Sequence, residues 1–265
     1  MQTGLYIVGT PIGNLGDMSP RAIDVLKNAD LIAAEDTRVF GKIASHFGIK
    51  TRRVSCHEHN EREVIGGLIE KIRDGAAIAV VTDAGMPGVS DPGFRIVRAA
   101  RDSGLPVFVV PGPTAVVSGL VLSGFPTDRF TFCGFFDEKK LHDDNRIRHT
   151  IIYYESPNRI KSTIAAIARV MPERKIAIVR EITKIHEETI IGYPADLIDM
   201  DAPRGEIVLV VAPAPEHKMS DSEISEIVND VVAGSTKNAA ADLAARSGIS
   251  KKDAYRRLLN KGENK

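Results

Sequence analysis

Residues 76–93 read AAIAVVTDAGMPGVSDPG. The first part, 76–82, is a short apolar run rich in β-branched residues. That pattern belongs to a strand buried on both faces. At Asp83 it gives way to a loop containing Gly85, Pro87, Gly88, Pro92 and Gly93, and a helical pattern resumes at Phe94. Glycines permit positive φ and close backbone approach, whereas prolines fix φ. An ordinary βα turn takes about 2–6 residues. This one is longer and carries two carboxylates, Asp83 and Asp91. Open α/β sheets hold ligands beyond the carboxyl ends of such strands, so the loop is read as part of a ligand site.

The flanking sequence repeats the same unit. Apolar strand patterns at 5–8, 31–34 and 107–110 and a segment starting at Val54 alternate with helical patterns at 20–28, 39–47, 62–74 and 94–103, and with one opening in PGPTA (111–115). Ser19 is a natural N-cap ahead of Pro20 at the first helical position. Strands alternating with helices imply a mostly parallel, open sheet with helices on its faces. Around residues 125–127 the composition changes. An aromatic-rich strand over 130–136, a polar loop over 139–148, strands at 151–155, 176–180, 188–191 and 207–212 and a helix over 158–170 predict a smaller α/β domain with a mixed sheet. APAPEH at 212–217 reads as a linker. Beyond it, 239–247, the turn 248–250 and 251–259 predict a helix–turn–helix appendage. The predicted domains are 1–125, 126–215 and 218–265.

Composition bounds the function. The chain has 265 residues, 43% hydrophobic and 26% charged, with zero formal net charge. It can build a sizeable core, and nucleic-acid binding must come from local patches. One such patch is the segment 235–265, with eight Lys or Arg against three Asp or Glu. Two cysteines, Cys56 and Cys133, argue against a disulfide scaffold and fit a reducing cytosol. The N-terminus shows no secretory leader pattern, and no apolar run reaches the ~20 residues needed to span a bilayer, so a cytoplasmic protein without membrane contact is expected. GTPIGNLG at 9–16 has neither the G-x-G-x-x-G spacing of a dinucleotide fold nor the Gly-Lys-Ser/Thr of a P-loop. Cys56, His57 and His59 lack a nearby third ligand at metal-site spacing, so no metal is expected.

The segments GTPIGNL (9–15), EDTR (35–38), HEHNE (57–61), DAGMPGVSDPG (83–93), PGPTA (111–115), YYESPNR (153–159), REITKIHEE (180–188) and RGEIVLVV (204–211) occur in an order that resembles the tetrapyrrole-methylase superfamily. EDTR, HEHNE and YYESP resemble its rRNA-methylating branch. The resemblance implies a two-domain fold, an S-adenosylmethionine trough between the domains, and a homodimer. It also implies methyl transfer to the ribose 2′-oxygen of a decoding-region cytidine in 16S rRNA, within the small ribosomal subunit. In place of the family's Gly-Phe-Leu-Pro and basic run, this chain has Gly134-Phe135-Phe136-Asp137 and a charge-balanced 137–148. More of the RNA contact is therefore expected from the basic tail.

Methyl transfer to an alcohol is an in-line displacement that needs alignment and a proton acceptor. The resemblance and the loop positions give Pro11, Gly85, Pro87, Val89, Ser90, Asp91, Thr114, Ala115, Tyr154, Ile182 and Gly205 as cofactor contacts. Asp36, Asp83, Asp91, Glu155 and Glu181 are the candidate bases, unranked. Arg38, Arg180 and Lys184 are candidates for holding phosphate or lowering the hydroxyl's pKa. The expected catalytic set is Asp36, Arg38, Asp83, Glu155 and Lys184. Two alternatives stand beside this reading. One is a methyltransferase of the cobalamin or sirohaem type acting on a tetrapyrrole, and the other is a non-catalytic RNA-binding protein.

Overall fold

A computed structural model describes residues 1–201, 203–215, 239–241, 243, 244 and 250–263. Residues 1–214 pack as one compact unit and 215–265 as a second.

The first sheet is entirely parallel. Its strands are β1 (Gly4–Val8), β2 (Leu31–Ala34), β3 (Arg53–Ser55), β4 (Ala77–Val81) and β5 (Val107–Val110), in the order β3-β2-β4-β1-β5. The helices between them are α1 (Pro20–Asn28), α2 (Thr37–Phe47), α3 (Glu61–Arg73) and α4 (Phe94–Asp102). β1 and β4 are buried along their whole length. Their alternate residues feed two cores. Tyr6, Val8, Ala77, Ala79 and Val81 pack with α1 and α2, whereas Leu5, Ile7, Ile78 and Val80 pack with α3 and α4. This is the period-2 consequence of a strand with helices on both sides. The expected cap holds, since the Ser19 hydroxyl accepts from Ala22 N–H and Pro20 opens α1. Helix α2 starts at Thr37, two residues earlier than its apolar pattern. The Asp36 carboxylate accepts Arg38 N–H and caps it.

Helix α5 (Ala115–Ser123) follows β5 and packs on the second sheet, with Val116 and Leu120 against Ile152, Val179, Val208 and Val210. That sheet contains β6 (Phe130–Phe135), β7 (Thr150–Glu155), β8 (Ile176–Arg180), β9 (Glu188–Gly192) and β10 (Ile207–Val211) in the order β6-β7-β10-β8-β9. The β6–β7 pair is parallel and the rest antiparallel, so the sheet is mixed as expected. Its other face is covered by α7 (Ile160–Val170) around Tyr153, Ile178 and Leu209.

One local expectation needs correction. The segment 139–148 is not a simple loop. A 3-10 turn (Glu138–Lys140) leads into the one-turn helix α6 (Leu141–Asp144), because Leu141 is fully buried in the second core. A further short helix, α8 (Pro194–Leu197), follows β9 with Pro at its start. Arg174 is also buried. Its guanidinium donates to the carbonyls of Ala212, Ile147 and His149 at 2.6–2.9 Å, which joins the ends of the second sheet.

In the second unit, helix α9 (Lys251–Glu263) begins at Ser250, whose hydroxyl accepts Asp253 N–H and donates to the Asp253 carboxylate. Ala240, Leu243 and Ala254 form a small buried cluster there. Residues 239–241 and 243–244 are helical. Residues 245–249, with most of the predicted turn, and 216–238 lie outside the described residues. Among the described residues no helix is long and apolar enough to cross a membrane.

Candidate active site

The loops that leave β1, β4 and β5 meet beyond the carboxyl edge of the first sheet. Thr10 and Gly85 exchange backbone hydrogen bonds at 2.9 and 3.2 Å, which ties the first glycine loop to the long loop after β4. Gly9 and Gly112 face each other so closely that a Cβ on Gly9 would lie 2.7 Å from the Gly112 backbone. Gly85 adopts φ +77°, a left-handed conformation that side chains disfavour, so that both its N–H and its C=O reach Thr10. Its virtual Cβ would meet Ile12 and Pro113 only at 3.4 and 3.6 Å. The glycine is needed there for backbone conformation more than for room.

Between these loops and the second sheet lies a cavity of about 700 Å³, a size typical of small-molecule sites. From the first-sheet side it is lined by Ile12, Glu35, Asp83, Gly85, Met86, Val89, Asp91, Thr114 and Ala115. From the second it is lined by Phe135, Tyr154, Glu155, Ser156, Pro157, Glu181, Ile182, Lys184, Gly205, Glu206 and Val208. Asp83, Glu155 and Lys184 of the expected catalytic set are therefore at the cavity. So are Gly85, Val89, Asp91, Thr114, Ala115, Tyr154, Ile182 and Gly205 of the expected cofactor contacts. Pro11 and Pro87 are buried in the loop frames behind the wall, Ser90 is exposed, and Asp36 and Arg38 sit outside the lining at the end of β2.

The carboxylates differ in how they are engaged. Glu155 is fully used: Oε1 accepts from Ser156 N–H and Arg159, and Oε2 accepts from the Thr163 hydroxyl at 2.5 Å. It fixes the Ser156-Pro157 corner and the start of α7. Asp36 accepts a two-point contact from the Arg38 guanidinium, which holds its carboxyl well below the usual range. Arg38 is oriented by this pair while its side chain stays 90% exposed.

Glu35, Asp83 and Asp91 behave in the opposite way. Burial pushes each of them up; repulsion from Asp83 and Asp36 adds to the rise of Glu35, from Asp36 to that of Asp83, and from Glu35 and Asp83 to that of Asp91. Backbone N–H groups of Asp83 and Asp36 donate to Glu35 and Asp83 and offset part of the rise. Asp91 accepts no hydrogen bond among the described residues and is raised to about 6. Burial, then Asp91 and Glu206, push the Tyr154 hydroxyl up to about 12.

On the opposite wall, Lys184 Nζ sits between Glu181 (2.9 Å) and Glu206 (3.0 Å). Burial works against its charge, but those two carboxylates win and raise it. Lys184 in turn holds Glu181 below its ordinary range. Arg180 pairs with Glu188 and donates to the Arg204 carbonyl.

Three features escaped the sequence reading. Glu35 lies in the lining although only its neighbours Asp36 and Arg38 were singled out. Phe135 reaches the cavity because β6 breaks register between Phe132 and Phe135, with Gly134 at φ +73°. Its ring meets Tyr154 edge-on at 5.5 Å. HEHNE acts at a distance: Glu61 is buried and accepts Gly93 N–H at 3.2 Å, with Arg95 at 3.9 Å. It thereby clamps the far end of the loop that carries Asp91. His57 and Asn60 close a local turn, the Asn60 side chain accepting His57 N–H at 2.8 Å.

Comparison with known proteins agrees with this architecture. The profile of the family described as Tetrapyrrole (Corrin/Porphyrin) Methylases matches residues 4–197. "Ribosomal RNA small subunit methyltransferase I" of Mesorhizobium japonicum is 39% identical over 271 residues, covering 98% of this chain and 92% of its own. The protein of the same name from Vibrio cholerae is 41% identical over 276 residues, covering 98% and 96%. Among solved structures, uroporphyrin-III-C-methyltransferase from Thermus thermophilus superposes with a TM-score of 0.57 at 21% identity, over 80% of this chain and 94% of that one. Diphthine synthase gives 0.63 at 15% identity, over 78% and 89%. The structural likenesses show the shared fold; the near-complete sequence matches go further. The chain belongs to the tetrapyrrole methylases and, within them, to the ribosomal RNA small subunit methyltransferase I family.

Proposed function

We propose that this protein is an S-adenosylmethionine-dependent methyltransferase that methylates the ribose 2′-oxygen of a decoding-region cytidine in 16S rRNA. The observation that carries the reading is the cavity and its charge. Glu35, Asp83 and Asp91 are carboxylates held together at a cost that a cation would relieve. S-adenosylmethionine bears a sulfonium and an ammonium, so its chemistry fits this wall. Apolar Ile12, Ile182 and Val208 and the backbone at Gly85 complete a lining suited to its uncharged parts. When bound, it supplies the electrophilic methyl group.

The chain's own residues then have distinct tasks. Asp91, ionised at neutral pH yet more basic than a free carboxylate, accepts the hydroxyl proton at its carboxylate oxygen. Glu155 holds the Ser156-Pro157 wall, and Lys184 fixes the Glu181 and Glu206 side chains. Arg38, oriented by Asp36 and open to solvent, meets an RNA phosphate. Phe135 and Tyr154 offer ring faces to a nucleobase.

The tetrapyrrole alternative rests on fold likeness near 20% identity, whereas relatives near 40% over almost the whole chain carry the rRNA name. Calorimetry with S-adenosylmethionine, followed by labelled methyl transfer to 30S subunits and to free 16S rRNA, tests the reading. Transfer to a tetrapyrrole and to neither RNA would refute it. The protein is proposed to act in the cytoplasm as a homodimer. Sedimentation showing only a 28.8 kDa species would exclude the dimer.

A further inference from the structure

The segment REITKIHEE reaches the cavity through Glu181, Ile182 and Lys184, but the next residue, Ile185, has no part in that site. Its side chain is 98% exposed, against 66% for Val121 and 65% for Phe94, the next most exposed large apolar residues described apart from it. A lone surface apolar residue ordinarily needs no explanation. This one is displayed by a turn of unusual construction. Glu181 and Thr183 both adopt positive φ, 51° and 69°, which non-glycine residues disfavour.

The turn is braced by a series of hydrogen bonds, although the buried Thr183 hydroxyl has no partner among the described residues. Glu181 N–H donates to Glu206 O, Lys184 N–H to Glu181 O, and Glu187 N–H to Lys184 O. Thr183 N–H donates to the Glu187 carboxylate at 2.6 Å, and Lys184 Nζ bonds both Glu181 and Glu206. The turn is seated on the first glycine loop so closely that a Cβ on Gly13 would meet Lys184 and Thr183 at 2.7 and 2.9 Å. Backbone strain stabilised this thoroughly points to preorganisation. The thing preorganised is a bare isoleucine one residue beyond the cavity lining, flanked by Lys184 and His186.

We propose that Ile185 is a wedge that enters the rRNA stack beside the target nucleotide, so that the target ribose can enter the cavity. The inference rests on the rRNA reading above. Enzymes acting on a nucleotide within structured nucleic acid must unstack it, and apolar side chains inserted between bases offset that cost. A single projecting side chain with polar neighbours in the chain suits insertion. A protein interface would require a contiguous apolar patch.

The test uses the full-length protein with 16S rRNA, presented as 30S subunits or as free RNA, whichever the wild type methylates faster. Because Ile185 is exposed, Ile185→Ser should fold and bind S-adenosylmethionine as the wild type does. Its single-turnover methylation rate should fall roughly tenfold or more while rRNA affinity changes little, since insertion acts on the unstacking step. Ile185→Leu should restore most of the rate. An unchanged rate for Ile185→Ser, a loss confined to affinity, or failure of the Leu variant to rescue would overturn the wedge. So would a shift from dimer to monomer in sedimentation, which would place Ile185 between copies of the chain. A wild type that methylates neither RNA would overturn the rRNA reading, and the wedge with it.

Discussion

Replacing Asp91 by Asn should stabilise the protein and disable it at once. In the folded chain the Asp91 carboxyl is raised from 3.8 to about 6. A group raised in this way contributes stability that is fully present below its unfolded pKa and is lost as pH rises through the folded value. The wild type is therefore penalised at pH 8 relative to pH 4. A shift of about two pH units corresponds to at most about 3 kcal/mol. Because Asp91 is partly solvated, about 1–2 kcal/mol is the reasonable expectation. Asn keeps the shape and removes the charge. The variant should melt roughly 2–8 °C higher than wild type at pH 8, scaling by ~2–4 °C per kcal/mol for a chain of this size class, and with little difference at pH 4. Methyl transfer should fall about 10²–10⁴-fold, as expected for loss of a general base. The acid limb of the wild-type pH–rate profile, near pH 6, should vanish. Thermal melts at the two pH values and rates from pH 5 to 9 make the comparison. A variant with a wild-type rate, or one stabilised equally at both pH values, would refute the argument.

Three further outcomes follow from other parts of the structure. Gly85→Val places a β-branched residue at φ +77°, breaks the Thr10 pairing, and should abolish S-adenosylmethionine binding in calorimetry; unchanged affinity would remove this loop from the cofactor site. Glu61→Ala leaves Gly93 N–H and Arg95 without their buried acceptor; it should cost about 1–3 kcal/mol in thermal stability and weaken cofactor binding, with Glu61→Gln intermediate, and equal behaviour of Ala and wild type would show that the clamp is idle. Lys252 and Arg256 are both exposed and one turn apart on α9, Arg256 resting 3.3 Å from Asp253. Lys252→Ala/Arg256→Ala should leave cofactor affinity intact and lower the salt slope of rRNA binding by about two, whereas an identical slope would return these residues to solvent.

Much of the fold was written locally. β1, β2, β4 and β5 were legible because each is a short, uninterrupted apolar run of four or five residues bounded by turn residues, the length and pattern of a strand. The start of α1 was legible because Ser19-Pro20 caps within its own turn. The glycine loops marked the right edge of the sheet. Where a neighbour decides, the local pattern failed. Residues 141–144 are polar apart from Leu141, and they turn helical because that side chain is drawn into the second core.

The site shows the division more sharply. Sequence could put Asp36, Asp83, Asp91, Glu155 and Glu181 at strand ends, but it could not rank them, because a carboxylate's basicity depends on what approaches it through space. The structure spends Glu155 on Arg159 and Thr163, Asp36 on Arg38 and Glu181 on Lys184, partners close in sequence whose side-chain geometry the residue pattern does not record. The fold also buries Asp91, which raises it most, and brings Glu35 and Asp83 close enough to add to the rise. The strand order β3-β2-β4-β1-β5 sets β2 beside β4, and no local pattern records that adjacency. The chain by itself determined which segments form strands and helices and which loops carry charge, since those follow from neighbours a few residues apart. The burial of Asp91 and the approach of Glu35 to Asp83, 48 positions away, and so the chemistry of that wall, were decided by the way the strands assemble.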